Sequence, residues 1–145
     1  MPGDATLYGW RAGPGENSSA LGAASSSGVD PTIAAVTYTT AQPNATLIAA
    51  PSSGNRIVVI GIWVASSVTA NVSVLIGFHA TVTPATGTGR VFSHPAVQTG
   101  GGGWKQLGGS AIGVGGDAVP LLVTTGTIAD GAVHIDVLYI VEAVP

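Results

Sequence analysis

The chain has 145 residues, of which only 8% are charged and 46% hydrophobic, with 22 glycines and no cysteine. Its net charge is −3, and its four basic residues, Arg11, Arg56, Arg90 and Lys105, are scattered. Scattered cations argue against a nucleic-acid partner, which needs clustered Lys and Arg, and the lack of cysteine removes disulfides and thiolate chemistry. The length suits one domain with a proper core. A free monomer of this size normally carries more charge, so the composition predicts that partners cover much of the surface.

Residues 1–31 read as an extended arm. The stretch GPGENSSALGAASSSGVDP is rich in Gly, Ser, Ala and Pro and has no sustained period, the composition of a flexible tether. The first residues lack both a basic and an apolar leader region, which predicts no secretory signal. Yet LYGWRA, residues 7–12, places Leu7, Tyr8, Trp10 and Arg11 inside the arm. Aromatics and Arg are over-represented at interface hot spots, so these four are candidate partner contacts. Two destinations are open for them: the chain's own core, or a neighbouring subunit.

Residues 32–145 read as the folded domain, and the signal is β throughout. IAAVTYT (33–39) precedes a turn at Gln42-Pro43-Asn44, and TLIAA (46–50) ends at Pro51-Ser52-Ser53-Gly54. GNRIVVIGIWVASS (54–67) contains a strand over about 55–65, and NVSVLIGFH (71–79) alternates with Val72, Val74, Ile76 and Phe78 on one side. TVTPATGTG is a loop, RVFSH (90–94) a short strand, and QTGGGG (98–103) a flexible loop. WKQLGGSAIGVGG mixes a short strand with glycines, DAVPLLVTT (117–125) is apolar and β-branched, TGTIADG turns, and AVHIDVLYIVEA (132–143) is the last strand. No segment has 3.6-residue spacing. About eight strands with a turn signal every 8–15 residues predict an all-β antiparallel sandwich, jelly-roll-like, with an immunoglobulin-like sandwich as the alternative.

The strand at 57–64 raises a question, because it is apolar at every position where a half-wet strand should alternate. Its apolar run, Ile57 to Ala65, is far short of the roughly 20 residues of a spanning helix, so no membrane partner is expected. Residues 119–123 are also apolar on both faces, as is the end of the last strand, where Leu138 and Ile140 alternate with Tyr139 and Val141. A sandwich has one dry face per sheet, so doubly apolar strands need a second cover. Either the chain's own loops or arm supply it, or a symmetry mate does. Val58, Ile60, Ile62, Leu138 and Ile140 are the candidate oligomer-interface residues.

Reactive constellations are sparse. His79, His94 and His134 form no ligand pair, and no metal or cofactor is expected. His134 and Asp136 share one face of the last strand, a spacing that suits a solvent-facing polar pair better than a metal or acid–base site. Asp30-Pro31 and Asp130-Gly131 are turn chemistry. GVGGDA (113–118) mimics a dinucleotide fingerprint but runs into VPLLVTT, which is strand-like where that motif demands a helix. Trp104, after GGGG, is a candidate loop-tip platform for a sugar or other surface, or an anchor for its loop. No enzyme is predicted.

The runs GNRIVVIGIWVASSVTANVSVLIG, VFSHP, GGGG and GGDAVPLLVTT…GAVHIDVLYIVE together resemble small β-sandwich proteins of tailed-bacteriophage virions, over residues 46–143. The resemblance implies a capsid decoration, or cement, protein: a jelly-roll homotrimer on the head surface, with itself and the major capsid protein as partners and the virion as its location. Similar domains occur in head fibres and tail tips, so recognition of a host glycan or receptor is the alternative. The family has no catalytic residues to carry over.

Overall fold

The computed structural model describes residues 30–78, 89–97, 102–106 and 111–145. Every regular element among them is a strand: β1 Thr32–Tyr38, β2 Ala45–Ile48, β3 Asn55–Ser66, β4 Val72–Gly77, β5 Arg90–Val97, β6 Gly102–Gln106, β7 Gly113–Val114, β8 Leu121–Thr125 and β9 Val133–Ala143. The strands form two antiparallel sheets. One runs β1-β9-β3-β6, with the short β7 also on β3; the other runs β2-β8-β4-β5. β6 and β7 both lie along β3 and together fill one strand position. The resulting order is that of a jelly roll, two Greek keys folded over each other. An immunoglobulin-like sandwich would place the first two strands in one sheet; here β1 and β2 fall in different sheets.

Alternation builds the core. From β9, Val133, Ile135 and Val137 point inward; from β4, Val72, Val74 and Ile76; from β8, Leu121 and Val123. Ala34, Val36 and Tyr38 of β1 pack against them. Branched side chains suit the pleated surface, and each one fully buried contributes roughly 1.5–3 kcal/mol before entropy. The turns follow local chemistry. Asn44, after Pro43, takes a left-handed φ of 53°. Gly131 has φ 66°, and a Cβ there would stand 2.5 Å from the Ser67 carbonyl oxygen.

A β-bulge and a second apolar cluster together account for the unbroken apolar run of β3. Its register with β9 shifts between Val59, opposite Tyr139, and Gly61, opposite Leu138, leaving Ile60 as the extra residue. A bulge changes which parity faces which side. Before it, Ile57 and Val59 enter the core; after it, Ile62 and Val64 do. Val58 and Ile60 fall on the other side, where with Ile140 they form a second, smaller cluster under Ala111 and Leu138. Grouping Ile62 with Val58 and Ile60 on one outer face is therefore corrected: Ile62 is fully buried between the sheets.

Two other expectations change. Gly102 and Gly103, expected in a loop, extend β6 because they pair with Ala65 and Val64 of β3. The TVTPATGTG loop lies almost wholly outside the described residues, as do residues 98–101 of the Gly-rich loop and residues 1–29 of the arm.

Candidate functional site

The most unusual described surface is the outer face of the five-stranded sheet. Registers across β1, β9, β3 and β6 arrange it in rows about 7 Å apart along the strands. One row holds Ile33, Leu138 and Gly61; the next Ala35, Asp136 and Trp63; the third Thr37, His134 and Ala65, with Gln106, Trp104 and Gly102 of β6 as the backbone partners of Gly61, Trp63 and Ala65. The strand period alone sets this arrangement, since residues of one parity on β1 and β9 face outward together.

Apolar groups stand open there. Ile33 is 65% exposed and Trp63 37%, while Leu138, opposite Ile33, is half-buried. The Trp63 indole lies over Gly61: a Cβ on that glycine would come within 2.7 Å of the Trp63 ring carbon Cη2. Glycine thus lets the ring lie along the sheet. Within the same face, Asp136 is exposed and has no hydrogen-bond or ion-pair partner among the described residues. Arg56 cannot serve it, because its guanidinium is held by Glu142 Oε1 at 2.9 Å from Nε and 2.6 Å from Nη2. Arg90 belongs to the opposite sheet. His134 Nδ1 shares a 2.9 Å hydrogen bond with Thr37 Oγ1 across the strand pair. That is the polar cross-strand contact its place on the face suggested.

The sequence-predicted residues divide clearly. Val58, Ile60 and Ile140 are buried within the chain, Ile62 is in the main core, and of the five interface candidates only Leu138 borders the surface. Leu7, Tyr8, Trp10 and Arg11 lie outside the described residues. Trp104 sits in β6, opposite Trp63, so it is a strand residue and not a loop tip. Sequence reasoning missed Trp63 and Asp136 as neighbours, since their juxtaposition is a property of register. The Gly61-Ile62-Trp63 spacing signals only that Trp63 lies on the face of Gly61, because residues two apart on a strand share a face.

Elsewhere the polar groups are structural. Asp117 Oδ1 accepts a 2.6 Å hydrogen bond from the Gly54 N–H. Asp130 accepts from the Thr69 hydroxyl at 2.6 Å and from the Thr69 N–H at 3.1 Å, and these bonds, the hydroxyl's first, hold its carboxyl below the usual range. Among the described residues no three His, Cys, Asp or Glu groups converge to hold a metal. An open hollow of about 350 Å³ is lined by Arg90, Val91, Phe92 and Ser93 of β5.

These features define an antiparallel jelly roll with an amphipathic outer face. No family model matches the chain, and no curated protein matches it. Among solved structures it is similar to a chain of the acid-stable capsid of Helicobacter pylori bacteriophage KHP30, at 15% identity and a TM-score of 0.53, covering 79% of this chain and 93% of that one. It also aligns with a chain of the cyanophage Pam1 capsid asymmetric unit, at 20% identity and a TM-score of 0.39, covering 97% and 99%. The first likeness is one of fold, shared over nearly the whole of the phage chain.

Proposed function

We propose that this protein is a structural component of a phage virion that decorates the outside of the capsid and stabilises it through protein–protein contacts. The observation that carries the reading is the fold itself, which is similar to that of a chain of a phage capsid over 93% of that chain's length. The low charge supports a role played by surfaces that partners cover. In this reading the protein is not an enzyme. It acts as a homotrimer, and its arm anchors it to the major capsid protein.

The anchor is the segment Leu7-Tyr8-Gly9-Trp10-Arg11. Covering its apolar surface contributes ~25 cal/mol per Å², against the entropy of ordering the arm. The fibre-tip alternative asks for a loop-borne aromatic, and Trp104, its one candidate, occupies a strand. Deleting residues 1–31 tests the reading. The expected product is a folded sandwich that fails to occupy capsids in a sedimentation binding experiment; full occupancy by the truncated protein would reject the anchor.

A further inference from the structure

We infer that the outer face of the five-stranded sheet is a docking site for the chain's own arm segment Leu7–Arg11, occupied in the free protein. This uses the arm assigned above as the shell anchor, but it concerns the protein before any shell is present. The face offers an exposed indole, Trp63, an exposed aliphatic, Ile33, and an exposed carboxylate, Asp136, with no partner among the described residues. The segment offers the counterparts: two aromatics and a leucine, followed at once by Arg11, the only basic side chain in residues 1–31. A guanidinium pairs with carboxylate and stacks on indole. Trp63 and Asp136 hold adjacent register positions, so one Arg can meet both.

Chain length and direction favour the chain's own face over a neighbour's. The arm enters β1 at Asp30–Thr32, and β1 is the edge strand of this same sheet. Asp136 is opposite Ala35, five residues along from Asp30 (35 − 30) and one strand over, within roughly 20 Å of it at strand spacings. Nineteen residues separate Arg11 from Asp30 (30 − 11). A Gly/Ser-rich tether of that length has an r.m.s. span of about 24 Å. Span and distance match, the condition under which a tethered group reaches its highest effective concentration, of millimolar order. The protein thereby covers its own Tyr8 and Trp10 when alone, and a shell must displace the sheet to take the anchor.

The absence of native cysteine makes a direct test possible. In the full-length protein, the pair Ala12→Cys/Ala35→Cys places one thiol beside the segment and one beside Asp136. The pair Ala12→Cys/Thr46→Cys places the second on the four-stranded sheet. Each is equilibrated with a glutathione redox buffer, and the effective concentration of the intrachain disulfide is read. The Ala35 pair should exceed the Thr46 pair by about tenfold or more. Asp136→Lys should abolish the difference, and Arg11→Glu with Asp136→Lys should restore it. Ala35, Thr46 and Asp136 are exposed, so the sandwich tolerates these changes, and the Thr46 pair monitors the bare tether in the same fold. Equal effective concentrations for the two pairs would overturn the inference, as would disulfide-linked dimers predominating, which would mean the segment docks on a second copy. Neither result depends on whether the protein binds a capsid.

Discussion

Along β9, Val133, Ile135 and Val137 are fully buried, while His134 and Asp136, interleaved with them, stand in solvent. Both faces of the sheet nevertheless draw on apolar sequence, because β3 contributes to each. The inner face closes on the opposite sheet, burying Ile57, Val59, Ile62 and Val64 of β3. The outer face closes only at one end, where Val58, Ile60 and Ile140 sit under Ala111 and Leu138, and stays open at Ile33 and Trp63. Apolar composition therefore does not by itself mark an interface. What marks one is the part of an apolar face that the chain's own side chains leave uncovered.

The largest test of this contrast is a pair of truncations. Ile62→Ala removes a fully buried side chain between the sheets and should cost about 2–5 kcal/mol. Leu138→Ala, on the half-covered outer face, should cost roughly 1 kcal/mol, since only part of its apolar area is withdrawn from water. Urea unfolding of both variants measures the difference. Equal losses would mean that the outer face is packed as tightly as the core, and the distinction would collapse.

A second test moves to the turn that delivers β9. Gly131→Ala forces a left-handed φ on an L-residue and drives its Cβ to 2.5 Å from the Ser67 carbonyl oxygen. Backbone cannot swing aside as a side chain does, so a loss of about 1–3 kcal/mol is expected. Gly61→Ala is the instructive opposite. Its Cβ would meet only the far end of the Trp63 ring, at 2.7 Å. The indole can rotate away, so stability should change by less than about 1 kcal/mol, whereas the Trp63 indole N–H resonance should shift. A large stability loss from Gly61→Ala would show that the ring is locked in place, and that the outer face is more rigid than its exposure suggests.

The contrast also marks what the sequence could and could not reveal. Period-two alternation in residues 71–79 and 132–143, together with turn residues between the runs, was enough to read the strands, because burial on one face imposes that period. The bulge at Ile60 had one local sign, the adjacent Gly61, since an isolated Gly inside a strand run points to a bulge, but the shift itself exists only in the pairing with β9. Hence Ile62 was placed on the wrong face while its neighbours Val58 and Ile60 shared the outward side. For Gly102 and Gly103 the local rule favoured a loop, and pairing along β3 overrode it. Asp136 and Trp63 are 73 residues apart (136 − 63), so nothing short of the sheet order could bring them together.

The smallest expected effect separates two exposed aspartates. Asp136 has no partner among the described residues, whereas Asp130 accepts two hydrogen bonds from Thr69 at the turn before β9. Those bonds favour the charged form and lower its pKa. A folded-state pKa below the unfolded one means that Asp130 contributes stability above the unfolded value, near pH 4, and that this contribution fades as pH falls through the folded value. Asp130→Asn should therefore weaken the protein slightly at neutral pH and flatten the acid limb of its stability curve. Unfolding midpoints from pH 2.5 to 6, with the Asp130 carboxyl followed by NMR, provide the measurement. An unchanged acid limb would mean that Thr69 orders the turn without discriminating between the two protonation states. The carboxylate would then be a geometric peg, fixing the turn through its oxygens and not through its charge.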